Sequence, residues 1–425
     1  MRLAWSASLR QLPLQHLRLF KGSLRATAQH DREPKQPNKL SITVVENLNL
    51  GNKSHKKANH VFVFLEIFAR EGGIQSYVKD IFRAYQGLNP TYKAEVFLLR
   101  DSPDCSNIFE SQNLKFHYFH TQSPQLGRLK MATALLKCLL QSRPQQVFCG
   151  HINLAVLIQT LCQPLGVPYT VLTYGKEVWE PLKKQECRAL RSASAIWVIS
   201  RYSRDRACAA NGLDPKIIQM VPCAIDGDKF TPGSKQPELL EKYGLTDAKV
   251  LMTVARLWSG DIYKGVDMTI RALPKITQFF PEVKYLVIGR GDDQPRLAQL
   301  AAYLGVSDRV VFAGFVPTEQ LMEHYRLADA YIMPSQEGFG IVYLEAMACQ
   351  VPVLSGDDDG SADPLQDGKL GWRVPHRNPD AVAAACIEIL KGDDQRCDGQ
   401  WLREQAIALF GMDAFQKRLQ KLLLS

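Results

Sequence analysis

From about residue 60 onward the chain repeats one pattern: a short apolar run, then an amphipathic segment of helical period, in two successive sets. The first set contains VFVFLEI (61–67), AEVFLLR (94–100), LKFHYFH (114–120), QQVFCG (145–150), YTVLTYG (169–175) and AIWVIS (195–200). The second contains KVLMTVARL (249–257), VKYLVIGRG (283–291), RVVFAGFV (309–316), DAYIMPS (329–335), VPVLSG (351–356) and GWRVP (371–375). Runs this short, bounded by Gly and Pro and separated by helical patterns, indicate parallel sheets covered on both faces. The expected fold class is therefore α/β, with two doubly wound Rossmann-like domains facing a cleft. Residues 60–225 form the first domain and 236–398 the second, and VPCAIDGDKFTPGSKQPE (221–238), rich in Pro, Gly and charge, carries the link. Ligands of such sheets collect at the carboxyl ends of strands, so the cleft is the expected site.

Composition excludes several classes. A content of 46% hydrophobic and 22% charged residues suits a soluble globular protein, and neither a membrane span nor a secretory signal is visible. The ten cysteines show no C-x-x-C spacing and read as small core residues of a reducing, cytoplasmic protein. The net charge of +9 is concentrated in residues 1–60, where eleven Lys or Arg face three acids. The body is thus nearly neutral, which leaves no basic footprint for nucleic acid. Residues 1–59 read as a basic extension; LRQLPLQHLRLFKGSLR mixes Leu and Phe with Arg and Lys in the manner of a peripheral membrane contact or a transit peptide.

Three segments can carry chemistry. EGGIQSYVKDIFRAY (71–85) follows the first strand. Gly72 and Gly73 allow close backbone approach there, and a helix N-terminus offers free N–H groups to an anion or a sugar hydroxyl. In ARLWSGDIYKGVDMTIRAL (255–273), Arg256 and Lys264 flank a loop at the carboxyl edge of a buried strand, as a diphosphate requires. EGFGIVYLE (337–345) is the most specific: Gly338 and Gly340 hold Phe339 in a loop, Glu337 precedes the helix, and Glu345 lies two turns on in an apolar surround. The amides of Gly340 and Ile341 then suit phosphate, and Glu345 a ribose diol, with a core Glu paired to a neighbouring Lys or Arg as the alternative.

Competing motifs fail. IGRGDDQPRL (288–297) has Gln294 where a dinucleotide fingerprint needs its third Gly, and GDDDG (356–360) has no His or Cys to complete a metal site. No H-E-x-x-H, G-K-[ST] or G-x-S-x-G occurs.

Together with GKEVW (175–179), VISRYSR (198–204), VPCAIDGDKF (221–230) and DGKLGWRVP (367–375), these segments resemble the retaining glycosyltransferases of GT-B fold, often numbered family four. The resemblance spans residues 60–425. It implies transfer of a sugar, typically a hexose, from a nucleoside diphosphate donor to a saccharide or lipid-linked acceptor, with no metal and no other cofactor. It implies that Arg256, Lys264 and Glu337 are catalytic, the cations neutralising the leaving diphosphate and Glu337 meeting the donor sugar. Gly338, Phe339, Gly340, Ile341, Glu345 and Val316 would hold the nucleotide, while Gly72, Gly73, His151, Tyr174 and Glu177 would face the acceptor. Residues 399–425 would cross back to the first domain. One departure is Tyr174, where the family carries His: a phenol of pKa near ~10 is a poor base at neutral pH. Asp363, where relatives carry Glu, is a smaller one. Two other readings remain beside this one, a catalytically silent GT-B subunit and a nucleotide-sugar epimerase of similar fold.

Overall fold

The computed structural model describes residues 59–88 and 92–424, which fall in one compact unit; the basic segment 1–58 lies outside the described residues. The first part of the chain runs β1 (Asn59–Phe64), α1 (Gly73–Gln86), β2 (Lys93–Leu98), β3 (Leu114–Tyr118), α2 (Pro124–Ser142), β4 (Gln146–Cys149), α3 (Ile152–Cys162), β5 (Tyr169–Thr173), α4 (Lys184–Arg191), β6 (Ala195–Val198), α5 (Arg201–Asn211) and β7 (Ile218–Met220). The second runs α6 (Pro237–Tyr243), β8 (Val250–Val254), α7 (Val266–Ile276), β9 (Lys284–Ile288), α8 (Gln294–Tyr303), β10 (Val310–Gly314), α9 (Leu321–Tyr325), β11 (Ala330–Met333), α10 (Ile341–Ala348), β12 (Val353–Gly356), β13 (Trp372–Val374) and α11 (Pro379–Lys391). Two helices, α12 (Gly399–Phe410) and α13 (Met412–Leu424), close the chain.

The strands form two parallel sheets, ordered β3-β2-β1-β4-β5-β6-β7 and β10-β9-β8-β11-β12-β13. Each order reverses direction at one point, between β1 and β4 in the first sheet and between β8 and β11 in the second. Crossover helices diverge to opposite faces there, which leaves a crevice beyond the strand ends. All twelve expected runs contain a strand, but most strands stop one to three residues early, because the chain leaves the ladder at the carboxyl ends to build loops. At 351–356 the strand instead starts late: Pro352 has no N–H for the ladder, although its carbonyl accepts from Tyr331 N at 2.9 Å. Strand β7 was not expected. Its three residues are all half-buried at the sheet edge, too few to show a period.

The link is not free coil. Val221, Ala224 and Ile225 are buried, and Ile225 N donates to Phe410 O at 2.8 Å where α12 ends. The outgoing and returning chains thus run side by side. Beyond Gly411, α13 packs on α1: Phe415 meets Tyr77 edge-on at 6.1 Å, and Gln416 Nε2 donates to Gly87 O at 2.6 Å. Phe415 is only 1% exposed, so Phe415→Ala should cost roughly 3–5 kcal/mol through lost burial and an unfilled cavity. Denaturant unfolding measures it; a loss below about 1 kcal/mol would mean that α13 is not held by this contact.

Candidate functional site

A cavity of about 440 Å³ lies between the two switch points. Its walls include Gly73, Tyr174, Lys176 and Glu177 from the first sheet's loops and Tyr263, Lys264 and the stretch Gln336–Val342 from the second's. The decisive contact is between Lys264 and Glu337. Each ends a loop from one of the two strands flanking the switch point, and their side chains meet at 2.5 Å while being only 20% and 16% exposed. Burial by itself would lower the Lys264 pKa, but the Glu337 carboxylate, together with Tyr263 and Asp261, more than offsets this and the net shift is upward. The ammonium therefore stays charged inside the cleft.

Arg256 lies outside the cavity wall. Its Nε donates to the buried carboxylate of Asp261 at 2.5 Å, and its guanidinium remains largely exposed, within 5.5 Å of the Trp258 ring centroid. A third cation, Lys176, reaches over from the first domain, with Nζ 2.9 Å from the centroid of the Tyr263 ring. Partial burial lowers the Lys176 pKa; Glu337 and Asp261 oppose that shift, and Lys264 and Arg256 reinforce it. Sequence reasoning quoted Lys176 only as part of a motif, because its aromatic partner belongs to the other domain.

Local structure explains the Glu337 loop. Gly340 sits at φ +90°, a backbone region that L side chains rarely adopt, and starts α10. A Cβ on Gly338 would come within 2.6 Å of Tyr174 O, so the two domains approach here through bare backbone. Glu337 N donates to Asp359 Oδ2 at 2.6 Å, which gives the acidic turn GDDDG a supporting role. Burial raises the Asp359 pKa to about 7, partly offset by N–H donors from Glu337 and Ser361.

Other expected residues are placed differently. Phe339 borders the cavity, but its ring is buried against Phe410, 5.8 Å away. Val316 is buried just past β10 and is not part of the cavity wall; nor is Gly72, one residue before α1. Glu345 also stands off the wall. One of its oxygens accepts from Tyr325 OH at 2.7 Å, and burial raises its pKa against that bond and the Lys229 charge. A tyrosine of α9 is thus its donor in the free protein, where a Lys or Arg partner was the alternative.

Tyr174 lines the cavity, yet its hydroxyl donates to Gly150 O at 2.9 Å and burial drives its pKa well above the usual phenol value. Glu177 accepts the Tyr174 backbone N–H, and burial raises its pKa. His151 lies in a neighbouring hollow of about 190 Å³ with Glu66 and Arg100. It caps α3 by accepting from Asn153 N at 3.1 Å, and burial, aided by Arg100, lowers its pKa. The two hollows share Ile74. Tyr174 and His151 thus line different, adjoining hollows. Across the cleft, Arg201 pairs with Asp363 and Asp367, and Thr318 Oγ1 donates to Glu71 at 3.3 Å.

A family model, glycosyl transferases group 1, matches residues 235–399. The GDP-mannose-dependent alpha-(1-6)-phosphatidylinositol monomannoside mannosyltransferase of Mycolicibacterium smegmatis is 30% identical over 341 residues, 76% of this chain and 86% of that protein. The chain belongs to the group 1 glycosyltransferases. A D-inositol 3-phosphate glycosyltransferase of Geodermatophilus obscurus is 36% identical to it over 189 residues, 42% of this chain and 41% of that protein. Among solved structures, Anabaena HepE in complex with UDP matches with a TM-score of 0.70 at 19% identity, covering 86% of this chain and 99% of that one. Sucrose-phosphate synthase of Thermosynechococcus elongatus matches with a TM-score of 0.69 at 20% identity, over 86% and 98% of the two chains. The expected GT-B fold and glycosyltransferase class are thereby established. No helix among the described residues is long and apolar enough to cross a membrane.

Asp359 generates a pH prediction. Its carboxyl titrates near 3.8 when unfolded and near about 7 when folded, so the native state binds the extra proton. The stability linked to it is complete below the unfolded value and is lost as pH rises through about 7. Asp359→Asn should flatten that part of the stability profile in denaturant titrations from acid to neutral pH; an unchanged slope would show that Asp359 is already ionised in the fold.

Proposed function

We propose that this glycosyltransferase moves a sugar, with retention of anomeric configuration, from a nucleoside diphosphate sugar to a hydroxyl of a glycolipid, and that GDP-mannose is its donor. The observation that carries the reading is the Lys264–Glu337 pair at the switch-point cavity, with Lys176 and the amino end of α10 in the same wall and Arg256 outside it. A diphosphate entering there meets two cations and a helix dipole, which together stabilise the charge that develops on the leaving group. In this account Lys264 exchanges its carboxylate partner for phosphate oxygen, which frees Glu337 to accept from a hydroxyl of the donor sugar. Glu345 offers its second oxygen to the ribose.

The Tyr174 phenol and the carboxylates of the cavity wall are already engaged, Glu337 by Lys264. Among its wall residues Tyr174 donates its proton to a carbonyl, and Glu177 holds a backbone N–H. The proposed step is therefore front-face: the bond from the anomeric carbon to the phosphate oxygen breaks, the acceptor oxygen bonds on the same face, and its proton passes to the departing phosphate. GDP-mannose follows from the mycobacterial relative and from a corynebacterial one, 27% identical over 76% of this chain and 86% of that protein, both named GDP-mannose-dependent mannosyltransferases acting on phosphatidylinositol mannosides.

Donors are ranked by thermal shift, because a bound ligand raises stability by mass action. GDP-mannose should stabilise the enzyme more than UDP- or ADP-sugars, and transfer should give an α-linked product by NMR. Glu337→Gln should slow turnover roughly 10- to 150-fold, the loss of one charge-assisted hydrogen bond, with donor affinity changed far less. A β-linked product refutes retention, preference for a UDP-sugar refutes the donor, and an epimerised donor formed without acceptor refutes transfer itself.

A further inference from the structure

The loop after β5 carries a lysine of the first domain over an aromatic ring of the second. Gly175, at φ +141°, passes the other domain as bare backbone, and a Cβ added to it would come within 3.4 Å of Gly338 Cα. The next three residues make one turn, closed by Val178 N donating to Gly175 O at 3.0 Å. Within it Glu177 accepts the Tyr174 N–H and Val178 is fully buried. The turn is thus pinned on both sides of Lys176, whose exposed side chain joins the wall of the donor cavity.

The three cations of the cleft are held differently. Lys264 is paired with Glu337 and, outside the wall, Arg256 with Asp261. Among the described residues Lys176 makes neither a hydrogen bond nor an ion pair; its Nζ rests 2.9 Å from the centre of the Tyr263 ring. Lys264 Nζ lies 5.3 Å from that same centre, so one ring gathers an ammonium group from each domain. An exposed cation is held weakly on an aromatic face, whereas a phosphate oxygen offers it a charge-assisted hydrogen bond. The ring is therefore a resting place from which a phosphate displaces Lys176 at little cost.

The chemistry of the donor selects which phosphate. In a nucleoside diphosphate sugar the β-phosphate carries the sugar, so it lies at the end that an acceptor must approach. Lys264 and the amino end of α10 meet the diphosphate from the second domain, and Lys176 is the cation that the first domain sets opposite them.

We propose that Lys176 is a catalytic residue: when the donor binds, its ammonium leaves the Tyr263 ring for the β-phosphate and neutralises charge there as the bond to the anomeric carbon breaks. The acceptor proton still passes to the departing phosphate, and Lys176 keeps its own. Two residues along the loop, Lys176 thus presents to the reacting end of the donor the polar group that Tyr174, committed to Gly150, does not. This role rests on the nucleoside diphosphate donor proposed above, whatever base that donor carries.

The test compares GDP with GMP by calorimetry, without acceptor, on wild type, Lys176→Met and Lys176→Arg. Methionine keeps an unbranched stem and removes the charge. Lys176→Met should weaken GDP binding roughly tenfold or more but leave GMP, which has no β-phosphate, within about twofold of wild type. Lys176→Arg should recover most of the GDP affinity, and in steady-state transfer Lys176→Met should lower kcat at saturating donor as well as raise the donor KM. A distorted loop would weaken both nucleotides alike, and that result would overturn the assignment. Wild-type GDP affinity in Lys176→Met with a raised acceptor KM would overturn it in favour of a contact to an anionic acceptor. Preference of wild type for UDP over GDP would instead count against the proposed donor, and the same comparison with UDP and UMP would then decide the role of Lys176.

Discussion

The site depends on a lysine and a glutamate that meet at the point where the second sheet reverses its strand order. Lys264 and Glu337 come from loops after β8 and β11, and neither is more than 20% exposed. Removing one partner would leave the other charge half-buried and unpaired at the cavity wall, which is costlier than leaving it in open water. The same pairing keeps the free enzyme poised: Arg256 rests on Asp261, and Lys176 rests on the face of Tyr263. Lys264, Lys176 and Arg256 are set against Glu337, Glu177 and Asp261, so the cleft carries no large positive excess. A diphosphate brings more negative charge than either carboxylate, so donor binding is an exchange of partners rather than the filling of a bare positive pocket.

The rest of the fold holds those loops in place. The Glu337 backbone is tied to Asp359, and Gly338 lies against the Tyr174 carbonyl of the other domain. Arg201 joins the amino end of α5 to Asp363 and Asp367, while Ile225 joins the link to the end of α12. These contacts cluster along one rim of the cleft and at the doubled crossing.

Much of this was legible in the sequence because parallel strands buried on both faces read as continuous apolar runs. VFVFLEI and KVLMTVARL declare themselves without any tertiary information, and their ends mark the loops that carry chemistry. What escaped were features decided by partners far along the chain. Lys176 has meaning only beside Tyr263, and Glu345 acquires its donor from Tyr325. The Tyr174 hydroxyl is spent on Gly150, and the His151 ring caps α3, neither of which a motif encodes. Strand β7 and the break between α12 and α13 at Gly411 are set by packing rather than by period.

The most direct test of the account is a double-mutant cycle on nucleoside diphosphate affinity, using calorimetry with GDP on wild type, Arg256→Ala, Lys264→Ala and the double variant. If the two cations clamp one diphosphate, each single change should weaken binding by roughly tenfold or more, about 1.4 kcal/mol. The double change should then cost less than the sum by roughly 0.5–3 kcal/mol, because both groups serve one ligand. Strict additivity, or wild-type affinity in the Lys264→Ala protein, would show that the diphosphate is held elsewhere and contradict the assignment of the switch-point cavity as the donor site.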